Sequence, residues 1–278
     1  MAQALISIIM PALNAAPYIG EAIGSVLAQT WQNWELIITD NGSSDATLNI
    51  IAQFKDPRIS IHHEPERGGS RARNLALDHI KGAYFCFLDA DDHLTPRSLE
   101  SRVLMLENDQ NILFADGGVD RWDNRTGKLT PLHRPAFIGP PFARLMELSP
   151  TVFFGLSWMI RRCSATDARF PEHISHGEDL AFYLSIAREG NYTFTPEVIL
   201  HYRSGHGSAM SNIKALDKGY MDLYRSASSL APAPDQERLD ALWNRIRRVM
   251  FRGFLKRGMP FDAIRVLLRR KPTKGASI

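Results

Sequence analysis

The chain has little cysteine, no long apolar run and, near its C-terminal end, almost no acid. Its two cysteines, Cys86 and Cys163, stand far apart in 278 residues with no C-x-x-C spacing. Neither a disulfide framework nor a structural zinc site is expected, and a reducing cytoplasm fits best. No apolar stretch approaches the length that spans a bilayer. The opening MAQALISIIMPALN has no basic n-region, and Pro11 and Asn14 cut its apolar run short, so it reads as a strand rather than a signal peptide. Between 245 and 274 lie eleven of the 33 Lys and Arg residues but, of the 30 Asp and Glu, only Asp262. That surplus of ten positive charges in a chain of formal net charge +3 leaves the remainder at −7, an acidic body with a basic tail.

What is present is a large apolar complement. At 44% hydrophobic and 23% charged residues, the chain can bury one sizeable core, or one core with an appendage, and is long enough to be an enzyme. LISIIM at 5–10 is a short, continuous apolar run, as expected of a strand covered on both faces. Pro17 can open a helix in which Ile19, Ile23, Val26 and Leu27 form one stripe. ELIITD at 35–40 is the next strand, followed by the turn NGSSD and a helical spacing of Leu48, Ile51 and Ala52. A strand over 58–61, a helix after Gly68-Gly69 and a strand over 83–88 continue the rhythm. Strand alternating with helix argues an α/β fold with a doubly wound, mostly parallel sheet. Ligands of such sheets gather outside the carboxyl ends of the strands, where 11–14, 40–43 and 89–92 fall.

FCFLDADDHL, residues 85–94, runs from a greasy strand into Asp89, Asp91 and Asp92. Asp89 and Asp91 flank small Ala90 and offer the hard oxygens that Mg2+ or Mn2+ prefers, in a site that keeps waters and takes other ligands from phosphates. The plainer alternative is that Asp91 and Asp92 cap a helix with Pro96 in its first turn. A phosphoaspartate hydrolase also uses D-x-D, but after its first strand, which here ends in Met10-Pro11-Ala12.

Taken in order, SIIMPALNAAPYIGEAIGSVLAQTWQNWELIITDNGSSDAT, GGSRARNLALDHIKGAYFCFLDADD and HGEDLAFYLSIAREG resemble a glycosyltransferase of family 2, with the GT-A fold, over roughly residues 4–210. The resemblance implies an inverting hexosyltransferase of bacterial polysaccharide or lipopolysaccharide synthesis that uses a nucleotide sugar, a UDP-sugar foremost, and Mn2+ or Mg2+. It places nucleotide-sugar contacts at Pro11, Ala12, Asn14, Asp40, Asn41, Arg73, Asp89, Ala90 and Asp91, with Asn74 beside them. Metal ligands would be Asp91, Asp89 and His206. The general base would be Asp179, with Glu178 positioning the loop or acceptor. Where family members often carry two aspartates, this chain has Asp40-Asn41, and an amide both donates and accepts, so the base stays open. HYRSGHGSAMS at 201–211 resembles the segment that closes over the diphosphate, with Arg203, His206 and Ser208 in reach. Trp158 is a core tryptophan or a sugar platform.

The expected organisation is a catalytic domain over 1–215, with a nucleotide-sugar half at 1–92 and an acceptor half at 93–215, then a basic helical extension over 216–278. Residues 117–150 read as a hairpin plus a long loop suited to acceptor choice. In the tail, bases interleaved with Phe251, Phe254 and Leu255 suit an interfacial helix on anionic lipid. That fits a lipid-linked saccharide acceptor at the inner face of the cytoplasmic membrane, whereas no stacking module for nucleic acid is evident. A nucleotidyltransferase, or a non-catalytic member binding glycan or a partner protein, is the alternative.

Overall fold

The computed structural model describes residues 3–205 and 212–272. Its first strand, β1 (Ile6–Ala12), is buried on both faces, and period-two alternation sends Ile6, Ile8 and Met10 into one core layer and Ile9 into another. Helix α1 (Ile19–Leu27) lays Ile19, Ala22, Ile23 and Val26 on the first layer. Strand β2 (Trp34–Asp40), helix α2 (Thr47–Ile51), strand β3 (Ile59–His63), helix α3 (Gly69–Leu77) and strand β4 (Tyr84–Phe87) follow. The four strands pair in parallel in the order β3-β2-β1-β4, so their carboxyl ends share one edge. This is the doubly wound half expected from the sequence.

Beyond β4 the chain departs from simple alternation. A two-residue strand, β5 (His93–Leu94), precedes α4 (Ser98–Asn108), whose N-cap is Arg97. Asp91 and Asp92 therefore cap no helix, and the plainer reading of the acidic turn falls. Strand β6 (Ile112–Asp123) turns back into β7 (Leu129–His133) as the expected hairpin, and α5 (Phe142–Met146) interrupts the loop after it. Strand β8 (Met159–Arg161) inserts antiparallel between β4 and β6, and β9 (Asn191–Ser204) runs parallel to β6 after helix α6 (Glu178–Ile186). The full order is β3-β2-β1-β4-β8-β6-β9-β5, with β7 on β6. Residues 201–204, the start of the segment expected to close over the diphosphate, end β9.

Three helices complete the described chain: α7 (Ile213–Ser228), α8 (Gln236–Lys256) and α9 (Pro260–Leu268). The boundary expected at 215/216 falls inside α7. Leu239, Leu242, Trp243, Ile246, Met250 and Phe254 of α8 join the same core cluster as Phe85, Phe87 and Leu180. The stripe read as interfacial is thus largely core: Phe254 is fully buried, and of the three residues named only Leu255 is exposed. Among the described residues no helix is long and apolar enough to cross a membrane.

Candidate active site

The acidic turn after β4 is held from beneath. Arg203, at the end of β9, donates its backbone N–H to Asp92 Oδ1 at 2.8 Å and its Nε to the Asp91 carbonyl at 2.7 Å. Its other donors engage Asn124 Oδ1 and Glu21, and its guanidinium lies 4.1 Å over the Trp122 ring. The arginine read as a phosphate ligand is therefore a buried strut that fixes where the aspartates point. Burial, then the nearby charges of Asp89 and Asp91, push the Asp92 carboxyl well above the usual range, against the pull of Arg203. His206 and Ser208 lie outside the described residues.

A cavity of about 530 Å³ opens at the shared strand edge, walled by Pro11 and Ala12 at the end of β1 and Asn14 beyond it, by Tyr18 and Asn41, and by Gly69, Arg73, Asp89, Ala90 and Asp91. Of the sequence-predicted nucleotide-sugar residues, only Asp40 is missing from the wall. It is buried beneath, accepting from the backbone N–H groups of Gly42 and Ser43 and lying 3.2 Å from His63 Nδ1. Asn14, at φ 49°, accepts from Ser44 N and donates its own N–H to Ser43 Oγ, which stitches the first two loops together. Asn41 spends its amide on the protein: Nδ2 donates to the Glu64 and Glu66 carbonyls, and Oδ1 accepts from Gly68 N. Asn74 likewise turns to the loop at 170–172 rather than to the cavity.

Arg73 links the acidic turn after β4 to the start of α6. Its guanidinium donates to Asp89 at 2.8 Å and, more weakly, to Glu178 at 3.4 Å. Burial works against its charge, yet Asp89, Glu178 and Asp179 more than offset that and raise its pKa. Glu178 and Asp179 begin α6 behind Gly177, whose φ of 86° makes the sharp entry that glycine permits. Asp179 is pushed up to about 7, first by burial and then by Glu178, with Leu180 N–H and Arg73 opposing.

A second cavity of about 450 Å³ begins where the first ends. Asp89 lines both. Asp179 stands in the second, among Phe153, Phe154, Leu156 and Tyr202, with Asp92 and Arg121 also on its wall. Sequence reasoning missed this wall because its parts come from β6, β7, the 153–156 loop and β9, with no local pattern. Trp158 does not reach it; the ring is fully buried, stacked 4.1 Å from Tyr183, and donates to the Val152 carbonyl.

Among the described residues no three His, Cys, Asp or Glu side chains converge to cage a metal ion. The donor set at the junction is carboxylate oxygen from Asp89 and Asp91, both on the cavity wall. Such a set fits a hard cation that keeps waters and draws further ligands from a diphosphate. An all-protein cage does not fit.

The model of the family described as glycosyl transferase family 2 matches residues 7–169. The chain belongs to this family. It is 33% identical over 190 residues to the Escherichia coli UDP-Glc:alpha-D-GlcNAc-diphosphoundecaprenol beta-1,3-glucosyltransferase WfgD, covering 67% of this chain and 71% of that protein. Staphylococcus aureus TarS 1-349, solved in complex with UDP-GlcNAc, superposes with a TM-score of 0.72 at 17% identity over 96% of this chain and 81% of that one. The mannosyltransferase PcManGT of Pyrobaculum calidifontis, solved with GDP-Man and Mn2+, gives 0.67 at 17% identity over 96% and 75%. These likenesses establish the GT-A fold expected for this family 2 member, with its curled, mostly parallel sheet.

Proposed function

We propose that this chain is an inverting glycosyltransferase that moves a hexose from a nucleoside-diphosphate sugar, a UDP-sugar foremost, to a hydroxyl of a lipid-linked saccharide in cell-surface polysaccharide synthesis. The observation that carries the reading is the meeting of the two cavities at Asp89, with Asp179 in the second. A donor filling the first cavity brings its reacting end to the place where an acceptor in the second presents a hydroxyl. The specificity of WfgD, UDP-glucose onto a diphosphoundecaprenol-linked sugar, supports both substrate classes.

In this reading the nucleoside lies against Pro11, Ala12, Asn14 and Asn41, with Asp40 keeping the turn rigid below. The diphosphate lies toward Arg73, Ala90 and Asp91. Pyranose C–H faces suit the aromatic wall of Phe153, Phe154 and Tyr202. The ionised Asp179 takes the acceptor proton as the hydroxyl oxygen bonds to the anomeric carbon, and the bond from that carbon to the diphosphate oxygen breaks on the opposite face. Arg73 meets the charge that develops on the departing diphosphate, while Glu178 holds Arg73 in place. Asp91 and Asp89, with His206, would hold Mg2+ or Mn2+, which when bound supplies further neutralising charge to the leaving group. Residues 1–215 supply both halves of this chemistry. The basic extension over 216–278 brings it to the inner face of the cytoplasmic membrane, where a lipid-linked acceptor resides.

A thermal-shift series with UDP, GDP, dTDP and CDP and their common sugars, each with Mn2+ and with EDTA, tests the donor site. The expected result is strong stabilisation by a UDP-sugar that disappears on chelation. A flat series on folded protein would return the chain to the non-catalytic alternative.

A further inference from the structure

Helix α9 is apolar on the wrong side. It buries Ala263 and Val266 against the body. At 100° per residue, Phe261, Ile264 and Leu268 fall on the opposite pole. They are 86%, 53% and 78% exposed. Leu255, in the last turn of α8, is 46% exposed as well. A surface helix ordinarily turns its polar face outward, and a contiguous exposed apolar stripe marks something that covers it.

The charge around the stripe chooses the occupant. Arg252, Lys256, Arg257 and Arg270 are exposed and make no ion pair among the described residues. Arg269 and Lys271 instead tie the end of the helix back to Asp217 of α7 and Asp240 of α8. A second copy docking through this face would press like charges together. An anionic surface with an apolar interior satisfies both features.

We propose that the outward face of α9 docks on an anionic lipid bilayer, with Phe261, Ile264 and Leu268 entering the boundary between headgroups and acyl chains and the unpaired bases resting on the headgroups. This deepens the functional reading above, on which it rests for its purpose, and moves the membrane contact from α8 to α9.

The test is co-sedimentation of the full chain with phosphatidylcholine vesicles, with and without phosphatidylglycerol, in low and high salt. Phe261→Ser with Leu268→Ser should weaken binding to the phosphatidylglycerol vesicles by roughly tenfold or more, and salt should weaken binding of the unaltered chain. The variant should keep its thermal unfolding and its nucleotide-sugar response. Equal binding of variant and parent, or no preference of the parent for anionic vesicles, overturns the proposal. So does a dimer in sedimentation velocity that the double substitution abolishes, since that assigns the face to a second copy. Vesicle binding without any nucleotide-sugar response would sink the enzymatic reading and leave this one standing.

Discussion

An aspartate at position 41 would turn two attractive contacts into repulsions. Asn41 is buried, and its Nδ2 donates to two carbonyls of the 64–66 loop; a carboxylate would set lone pairs against both. The departure from the paired-aspartate pattern therefore has a local cause in the fold. Asn41→Asp is expected to cost about 1–3 kcal/mol, read as a lower Tm, and to weaken donor binding because the same loop leads into Gly69 of the cavity wall. Asp179 gives a second expectation. Its pKa is about 7 in the folded state against an ordinary 3.8, so folding takes up a proton between those values. The favourable term is complete below the unfolded pKa and is lost as pH rises through 7. Asp179→Asn lacks that loss, so its Tm should exceed the parent's increasingly from pH 4 to 7 and hold the gap above, on the order of 2–4 °C per kcal/mol. A gap that narrows with pH would refute the burial of this carboxyl. The acids themselves were legible in sequence, since a carboxylate run after a greasy strand is a local signal. The partners of Asn41 and the strut role of Arg203 were not, because 23 and 112 residues separate the bonded groups.

At the scale of elements, the helix carrying Glu178 and Asp179 depends on the C-terminal helices. A Cβ on Gly219 of α7 would stand 2.3 Å from the His176 carbonyl, immediately before the entry to α6. Gly219→Ala should therefore destabilise by about 1–3 kcal/mol despite alanine's better helix propensity, and should lower kcat by displacing Glu178 and Asp179. Gly24 in α1 has nothing within 4 Å of such a Cβ, so Gly24→Ala should raise stability by about 0.5–1 kcal/mol. If both changes acted alike, the packing of α7 on the active-site loop would be in doubt. The first four strands and their helices were readable because each repeats a single period. Strands β6 and β9 were not, since bulged registers break the alternation along β6, and one of its edges changes partner from β8 to β7 while β9 holds the other throughout. The stripe of α8 was visible as amphipathic, but periodicity cannot say whether its apolar side meets a core or a membrane.

Across the whole molecule, charge and shape divide the labour. The acidic body concentrates Asp89, Asp91, Asp92, Glu178 and Asp179 around one junction between two cavities, and the basic C-terminal helices pack on the same core while α9 turns an apolar face outward. The account rests on the junction: donor on one side, acceptor on the other, Asp179 between them as base. The most direct measurement is transfer and nucleotide-sugar affinity determined together in Asp179→Asn on folded protein. The account predicts a fall in kcat of about 10²–10⁴-fold, with donor affinity close to that of the parent. Near-normal turnover in that variant would contradict it.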